Sequence, residues 1–224
     1  MNKLLSNILI ERNVISEKGI KEIVSHIENS SEISDLSVFD PEKTNKSSKE
    51  PKWRTDKNIR NTQTVPIEPI YSGLKELLFH SVKNIVNQFY GINVLDGEIP
   101  QLLIYKPGGH YRPHVDGEAL WNSPDGPIFK KSVDRDLSMI FFLNDGGKDF
   151  EGGDLIFPEC GIRIRPEKGM LVCFPSNHYF LHGVEPVTKG TRYSIVTWLT
   201  VQGFASLEKQ NEKLSKKYNI KVEN

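Results

Sequence analysis

A histidine and a carboxylate stand two residues apart near the middle of the chain, at His114 and Asp116. In an extended segment residues i and i+2 point to the same face, so these two side chains can converge on one ion. By itself an H-x-D pair more often forms a loop hydrogen bond than a metal site. A second imidazole far along the chain, His182, would complete a set of two histidines and one carboxylate. That set suits ferrous iron and leaves three coordination positions open.

A positively charged residue, Arg192, follows His182 by ten residues in the apolar stretch TRYSIVTW. An arginine directed inward from such a strand would present a planar fork of donors that binds a carboxylate with two parallel hydrogen bonds. The alternative is an exposed strand residue in an ordinary surface ion pair. Its apolar neighbours are compatible with the inward orientation, and with a carboxylate-bearing cosubstrate such as an α-keto acid.

Short apolar runs separated by Gly, Pro and Asp must position these residues. No helical stretch lies between the runs to support parallel crossovers, so they are typical of an antiparallel sandwich or barrel. The sequence therefore predicts a jelly-roll-like β core. Its predicted strands are residues 101–106, 136–144, 153–159, 161–166, 170–175, 181–186 and 192–200.

Two amphipathic patterns precede the β region and predict helices that support it. Residues 16–29 carry Ile at helical spacing behind a capping serine, and residues 72–90 carry an apolar face that ends at Gly91. The charged segment 40–62 lacks periodicity and is interpreted as a loop. Histidines in the two helical patterns are interpreted as surface or boundary residues. They are His26 and His80.

Length and composition limit the remaining possibilities. The 224 residues are 37% hydrophobic and 26% charged, as expected for a soluble globular domain. Lys plus Arg equals Asp plus Glu at 29 each, which gives no electrostatic footprint for nucleic acid or anionic lipid. Two cysteines are too few for a disulfide framework, and we find no signal peptide or transmembrane run. We expect a cytoplasmic single domain of three parts: helical support with the polar loop over 1–95, the β core over 96–204, and a polar tail over 205–224.

The stretch from about 101 to 200 resembles the 2-oxoglutarate- and Fe(II)-dependent dioxygenases, specifically the prolyl 4-hydroxylase branch. Each shared piece is weak, but their joint order and spacing are specific. The pieces are Tyr105 and a Gly-Gly pair, Tyr111, His114-x-Asp116, Phe142-Leu-Asn-Asp145, Gly152-Gly-Asp-Leu155, Phe157-Pro158, Pro166-x-x-Gly169, His182-x-Val-x-Pro-Val187, Gly190, Arg192-Tyr193 and Trp198.

This resemblance implies a mainly β fold with flanking α: a double-stranded β-helix (jelly roll) core buttressed by N-terminal helices. It implies Fe(II) ligation by His114, Asp116 and His182. Arg192 would then bind the C5 carboxylate of 2-oxoglutarate, and Tyr105 would hydrogen-bond the same cosubstrate. With O2, 2-oxoglutarate would give succinate and CO2 while an unactivated C–H is hydroxylated. Ascorbate dependence is a common property of the family that the residues of this chain do not indicate.

Four local features refine that assignment. His178, four residues before His182, competes for the role of third ligand, but it lacks the following Val-x-Pro-Val and the spacing to the arginine. Many relatives have Tyr-Tyr where this chain has Phe141-Phe142, so one hydroxyl near the cosubstrate is missing. Arg192 replaces the lysine of collagen-type animal enzymes, which places the chain with the arginine-bearing members. His110 falls where the family varies, and a loop role is expected.

The substrate is predicted from the branch alone to be a peptidyl proline. Segments 40–62 and 118–135 are candidate lids, and Trp121 and Phe129 could contact a prolyl ring. One alternative is the same chemistry on a free amino acid or small metabolite. A nucleic-acid demethylase is disfavoured by the zero net charge and by the missing second arginine of that group. A non-catalytic jelly-roll binding module is disfavoured because all three ligand residues are present.

Overall fold

The computed structural model describes residues 7–39 and 53–219. Part of the segment predicted as a loop over 40–62 therefore lies outside the described residues, namely 40–52. The described remainder is not a plain loop, because it contains two short strands that pair with other parts of the chain. Among the described residues, no helix is long and apolar enough to cross a membrane.

The described residues contain four α-helices, and both predicted helical segments are confirmed, the second one as two α-helices. The helices are α1 (Glu17–Asn29), α2 (Tyr71–Ser81), α3 (Asn87–Tyr90) and α4 (Leu207–Tyr218). At the start of α1, the hydroxyl of Ser16 accepts a hydrogen bond from the backbone of Gly19 at 3.1 Å, which caps the helix. A π-helical turn at Val82–Val86 joins α2 to α3. The pair ends at Gly91, whose φ of 64° is left-handed and suits glycine.

The β region contains more strands than the sequence patterns predict. In chain order they are β1 (Leu9–Glu11), β2 (Ser34–Asp35), β3 (Val38–Phe39), β4 (Trp53–Arg54), β5 (Arg60–Asn61), β6 (Gln63–Thr64), β7 (Val94–Gly97), β8 (Gln101–Tyr105), β9 (His110–His114), β10 (Glu118–Ser123), β11 (Gly126–Lys131), β12 (Leu137–Phe142), β13 (Phe150–Gly152), β14 (Leu155–Phe157), β15 (Ile162–Ile164), β16 (Leu171–Pro175), β17 (His182–Val184), β18 (Val187–Gly190) and β19 (Arg192–Val201). Each of the seven predicted runs contains one of these strands.

Two sheets face each other and form the jelly roll. The larger sheet has the order β1-β16-β12-β19-β8-β6-β2, with β7 also paired to β19. The smaller sheet has the order β15-β14-β17-β9-β5. The neighbouring strands in both sheets are antiparallel. The predicted fold class, a β core with flanking helices, is therefore confirmed.

The larger sheet is buried on both faces, and strand alternation decides which side chains reach the interior between the sheets. One face packs on α1 and α2 through residues such as Met139, Phe141 and Ile195. The opposite face packs on the smaller sheet through Ile140 and Phe142. Because side chains alternate along a strand, every second residue of each central strand lies on that inner face. These residues include Tyr105 on β8, Ser138 on β12, and Arg192 and Ser194 on β19.

One segment differs from the sequence interpretation, and the polar tail packs against it. Residues 118–131, expected within a long loop, form the β10–β11 hairpin, in which Leu120 pairs with Phe129. The polar tail contains α4, which docks against this hairpin: the side chain of Gln210 accepts a hydrogen bond from the backbone of Lys131 at 2.7 Å. Near its other end, the Tyr218 ring meets the Trp121 ring edge-on at 5.6 Å. Hairpin and helix therefore support each other.

Candidate metal centre

The pairing of two strands brings His114, Asp116 and His182 together. His114 ends β9 and His182 begins β17, and the register places them directly opposite each other. Asp116 reaches both rings: its Oδ1 lies 3.4 Å from Nε2 of His114, and its Oδ2 lies 3.3 Å from Nε2 of His182. One ligand atom from each residue lies within 4.8 Å of the other two. The three side chains are close enough to share one metal ion.

Hydrogen bonds on the far side of each imidazole decide which nitrogen is free. Nδ1 of His114 lies 2.9 Å from the carbonyl oxygen of Arg112, and Nδ1 of His182 lies 2.9 Å from that of Phe180. A carbonyl oxygen only accepts, so each Nδ1 carries the proton and donates it. In a neutral imidazole with the proton on Nδ1 the lone pair lies on Nε2, and in both rings this is the atom that faces Asp116. That tautomer is the one a metal ligand requires.

The protonation states also suit a cation. Burial would raise the pKa of the Asp116 carboxyl, but interactions with His182 and His114 outweigh it and hold that pKa well below its usual range. Burial, followed by the neighbouring His182, lowers the pKa of His114, although Asp116 opposes that shift. At neutral pH the cluster therefore offers an ionised carboxylate beside a neutral His114.

Close backbone approaches hold the ligand-bearing segments in place. A Cβ at Gly183, next to His182, would lie 2.9 Å from the carbonyl oxygen of Tyr111, so β17 can approach β9 only with glycine here. A Cβ at Gly117, next to Asp116, would lie 2.5 Å from the carbonyl oxygen of Arg135. Real Cβ contacts are never this short, so both ligands stand beside positions that need glycine.

An aromatic ring fixes the outer face of His114. Tyr111 stacks on the imidazole with ring centroids 3.6 Å apart and an interplanar angle of 18°. The guanidinium carbon of Arg60, on β5, lies 4.7 Å from the centre of the same tyrosine ring. Burial raises the pKa of Tyr111 to about 12, so the phenol stays neutral. The stack restrains the imidazole without adding a charge.

Arg192 faces the interior between the sheets and is only 1% exposed. Its partner in the β-sheet register is Tyr105, and its guanidinium carbon lies 4.7 Å from the Tyr105 ring centre and 5.0 Å from that of Phe142. One guanidinium nitrogen donates to Ser194 Oγ at 3.1 Å, while buried Nε has no partner. Phe142 therefore lies beside this cation, whereas Phe141 packs on the opposite face of the sheet.

No carboxylate forms an ion pair with Arg192 within the described ranges. Burial lowers the pKa of its guanidinium, but the ordinary value is so high that the charge remains. A buried cation without an acidic partner is costly. The donor set at Arg192 therefore fits the carboxylate of a small molecule entering from outside, and the nitrogen and oxygen donors of the cluster fit Fe(II).

The other candidate histidines lie outside the cluster. Nδ1 of His178 lies 2.7 Å from a carboxylate oxygen of Glu118, and its ring stacks on Phe129 with centroids 4.6 Å apart. His110 uses both ring nitrogens on backbone carbonyls. The structure thus brings His182, and not His178, to the H-x-D pair.

Residues 100–200, which contain the cluster and Arg192, match the 2OG-Fe(II) oxygenase superfamily. The part of the chain that is similar to this superfamily is therefore the β core that carries the cluster. Its curated relatives include prolyl 3-hydroxylase 2 of Homo sapiens, 36% identical over 94 residues that cover 39% of this chain and 12% of that protein. A PKHD-type hydroxylase of Alteromonas mediterranea is 32% identical over 130 residues, 54% of this chain and 53% of the relative. The chain thus spans about half or less of each.

A solved structure has a fold similar to that of this chain. The prolyl hydroxylase of Trichoplax adhaerens, solved in complex with a peptide fragment of the hypoxia inducible factor oxygen degradation domain, aligns with a TM-score of 0.64. The alignment covers 89% of this chain and 86% of that one at 19% identity. At this identity the comparison shows the fold alone, and it agrees with the jelly roll described above.

Two hydrogen-bonded serines beside the cluster were not predicted from the sequence. Ser138 Oγ lies 2.7 Å from Oδ2 of Asp116, and Ser176 Oγ lies 2.7 Å from Ser138 Oγ. The available signal was the single hydroxyl of Ser138 within the apolar run LSMIFF.

Proposed function

We propose that this protein is an Fe(II)- and 2-oxoglutarate-dependent hydroxylase. His114, Asp116 and His182 would hold the iron, and Arg192 would bind the C5 carboxylate of 2-oxoglutarate beside Tyr105. The supporting observation is the combination, in one interior, of a His-Asp-His cluster whose Nδ1 atoms are held by backbone carbonyls with a buried guanidinium that has no carboxylate partner among the described residues. Bound iron would supply the O2 chemistry that puts one oxygen atom into a substrate C–H bond and the other into succinate, with loss of CO2.

The protein's own groups would prepare this chemistry by position and by exclusion of water. The edge of Phe174 meets the His182 ring with centroids 4.6 Å apart, and Phe157 lies 6.0 Å away. Both phenylalanines are fully buried. This apolar wall keeps bulk water from one side of the cluster, so a reactive oxidant formed there would meet the substrate rather than solvent.

For the substrate we propose a proline within a peptide. Prolyl 3-hydroxylase 2 and the peptide-bound Trichoplax enzyme support this class. The hairpin that begins two residues after Asp116 also carries exposed apolar groups, with Leu120 62% and Phe129 44% exposed. Exposed aromatic and aliphatic side chains beside a site are suited to a prolyl ring. The same chemistry on a free amino acid or small metabolite is the alternative.

The experiment measures succinate formation and the mass of candidate substrates together. Parent protein, His182→Ala, Arg192→Ala and the matched control His178→Ala are incubated with Fe(II), 2-oxoglutarate, O2 and either proline-containing peptides or free proline. We expect peptide plus one oxygen, and succinate, from the parent and from His178→Ala only. Oxygen in free proline alone would replace the peptide proposal. Absence of succinate from every mixture, with or without ascorbate, would refute the enzymatic proposal.

A further inference from the structure

Ser138 is a polar residue in a strand that is otherwise apolar and buried throughout. Its side chain is 0% exposed, and its neighbours across the sheet are Phe174 and Trp198. A hydroxyl buried in such surroundings costs free energy unless it forms hydrogen bonds. Core packing alone gives no reason for a serine here, so its hydrogen bonds must offset the cost of burying it.

The direction of those hydrogen bonds follows from the number of protons. The ionised carboxylate of Asp116 can only accept, so Ser138 donates its single proton to Oδ2 at 2.7 Å. With that proton used, Ser138 must accept at its 2.7 Å contact with Ser176, and Ser176 is the donor. The result is an ordered chain from Ser176 through Ser138 to Asp116.

Backbone hydrogen bonds of Ser176 join the segments that carry this chain of hydroxyls. The N–H of Gly117, next to Asp116, donates to the carbonyl oxygen of Ser176 at 2.8 Å. The N–H of Ser176 in turn donates to the carbonyl oxygen of Asp136 at 3.0 Å. The carboxylate is therefore tied to β12 through its side chain and to the end of β16 through the adjacent peptide.

We propose that Ser138 is a positioning residue that determines which oxygen of Asp116 binds the metal. Its hydroxyl occupies Oδ2, so Oδ1 is presented to the ion and Asp116 contributes one ligand atom rather than two. A single carboxylate oxygen leaves the remaining coordination positions to 2-oxoglutarate and O2. This inference rests on the function proposed above, and Ser176 supports it by orienting the Ser138 hydroxyl.

The test uses Co(II), which reports its coordination in the visible spectrum and does not react with O2 as Fe(II) does. Co(II) affinity is measured by calorimetry, and the absorption of the bound ion is recorded, for the parent, Ser138→Ala, Ser138→Thr and Ser176→Ala. Ser81→Ala is the matched control, because Ser81 is equally buried but donates to the carbonyl oxygen of Leu77 in α2. Urea unfolding of each protein without metal separates folding from binding.

We expect Ser138→Ala to weaken Co(II) binding by about 10–100-fold and to change the Co(II) spectrum, as losses of outer hydrogen-bond partners do. Ser176→Ala should have a smaller effect in the same direction. Ser138→Thr, which keeps the hydroxyl, should restore both properties, and Ser81→Ala should leave both unchanged. A purely structural role would lower unfolding stability in Ser138→Ala without altering the spectrum.

Failure of the positioning role and failure of the proposed function give different results. If the parent binds Co(II) and Ser138→Ala binds it with the same affinity and spectrum, the positioning role is wrong while the proposed function stands. If the parent itself does not bind Co(II), the proposed function fails and this inference fails with it. A larger effect from Ser176→Ala than from Ser138→Ala would overturn the assigned direction of the hydrogen-bond chain.

Discussion

Arg192→Met is expected to change ligand affinity and protein stability in opposite directions. Methionine keeps an unbranched, flexible side chain of similar length but removes the charge. The guanidinium is buried, its Nε is unpaired, and a guanidinium nitrogen donates to Ser194. An unsatisfied buried donor costs about 1–3 kcal/mol and an ordinary hydrogen bond contributes about 1 kcal/mol. The free energy of unfolding should therefore rise by up to about 2 kcal/mol.

For 2-oxoglutarate, the same change removes one partner of a buried, hydrogen-bonded charge pair. Such losses cost about 2–5 kcal/mol. At about 1.4 kcal/mol for each factor of ten, the dissociation constant should rise from about 30-fold to several thousand-fold. Because the metal ligands are untouched, Co(II) affinity should remain at the parental value.

Two assays measure these effects separately. Urea unfolding of the metal-free protein gives stability, and calorimetric titration of the Co(II)-loaded protein with 2-oxoglutarate gives affinity. Arg12→Met is the control, since Arg12 pairs with Glu167 at the surface, away from the buried guanidinium. It should leave 2-oxoglutarate binding unchanged. Equal affinities in the parent and Arg192→Met would refute the reasoning about the buried cation.

Three further predictions concern the surroundings of the site. The Cβ of Gly117→Ala would lie 2.5 and 2.8 Å from two carbonyl oxygens, so this change should lower the free energy of unfolding by about 1–3 kcal/mol in urea titrations. Unchanged stability would mean that the backbone around residue 117 relaxes without cost. Gln210→Ala, which removes the acceptor for the N–H of Lys131, should speed hydrogen exchange at that amide, and an unchanged rate would show that α4 does not support the hairpin. Burial raises the pKa of the Cys173 thiol to about 12, whereas Cys160 is partly exposed. A thiol reagent at about pH 8 should therefore label only Cys160 in the native protein, and both cysteines in urea. Two labelled thiols before unfolding would contradict this assignment.

The sequence predicted the parts of the site that depend on local geometry. His114 and Asp116 are two residues apart in extended backbone, and their convergence needs only the strand repeat. His182 is different, because its approach depends on the pairing of β17 with β9, which no local pattern reports. The resemblance supplied that pairing, and the structure places His182 opposite His114. Arg192 and Tyr105 likewise meet through sheet register.

The β10–β11 hairpin shows why other parts escaped prediction. Its strands lack a regular apolar alternation, since the hairpin packs on α4 at one place and on His178 at another. The turn residues between Ser123 and Gly126 do favour a hairpin, but segment length alone suggested a loop. Strand β9 was missed because Pro113 interrupts its pattern, and the register with β17 shifts close to that proline.

Binding of 2-oxoglutarate to the iron-loaded protein tests the central claim most directly. Under anaerobic conditions, Fe(II) and then 2-oxoglutarate are added to the parent, His182→Ala and His178→Ala, and the visible iron-to-keto-acid charge-transfer band is recorded. We predict the band in the parent and in His178→Ala, and its loss in His182→Ala. A parent without the band, or a band that survives in His182→Ala and disappears in His178→Ala, would contradict the assignment of this metal centre.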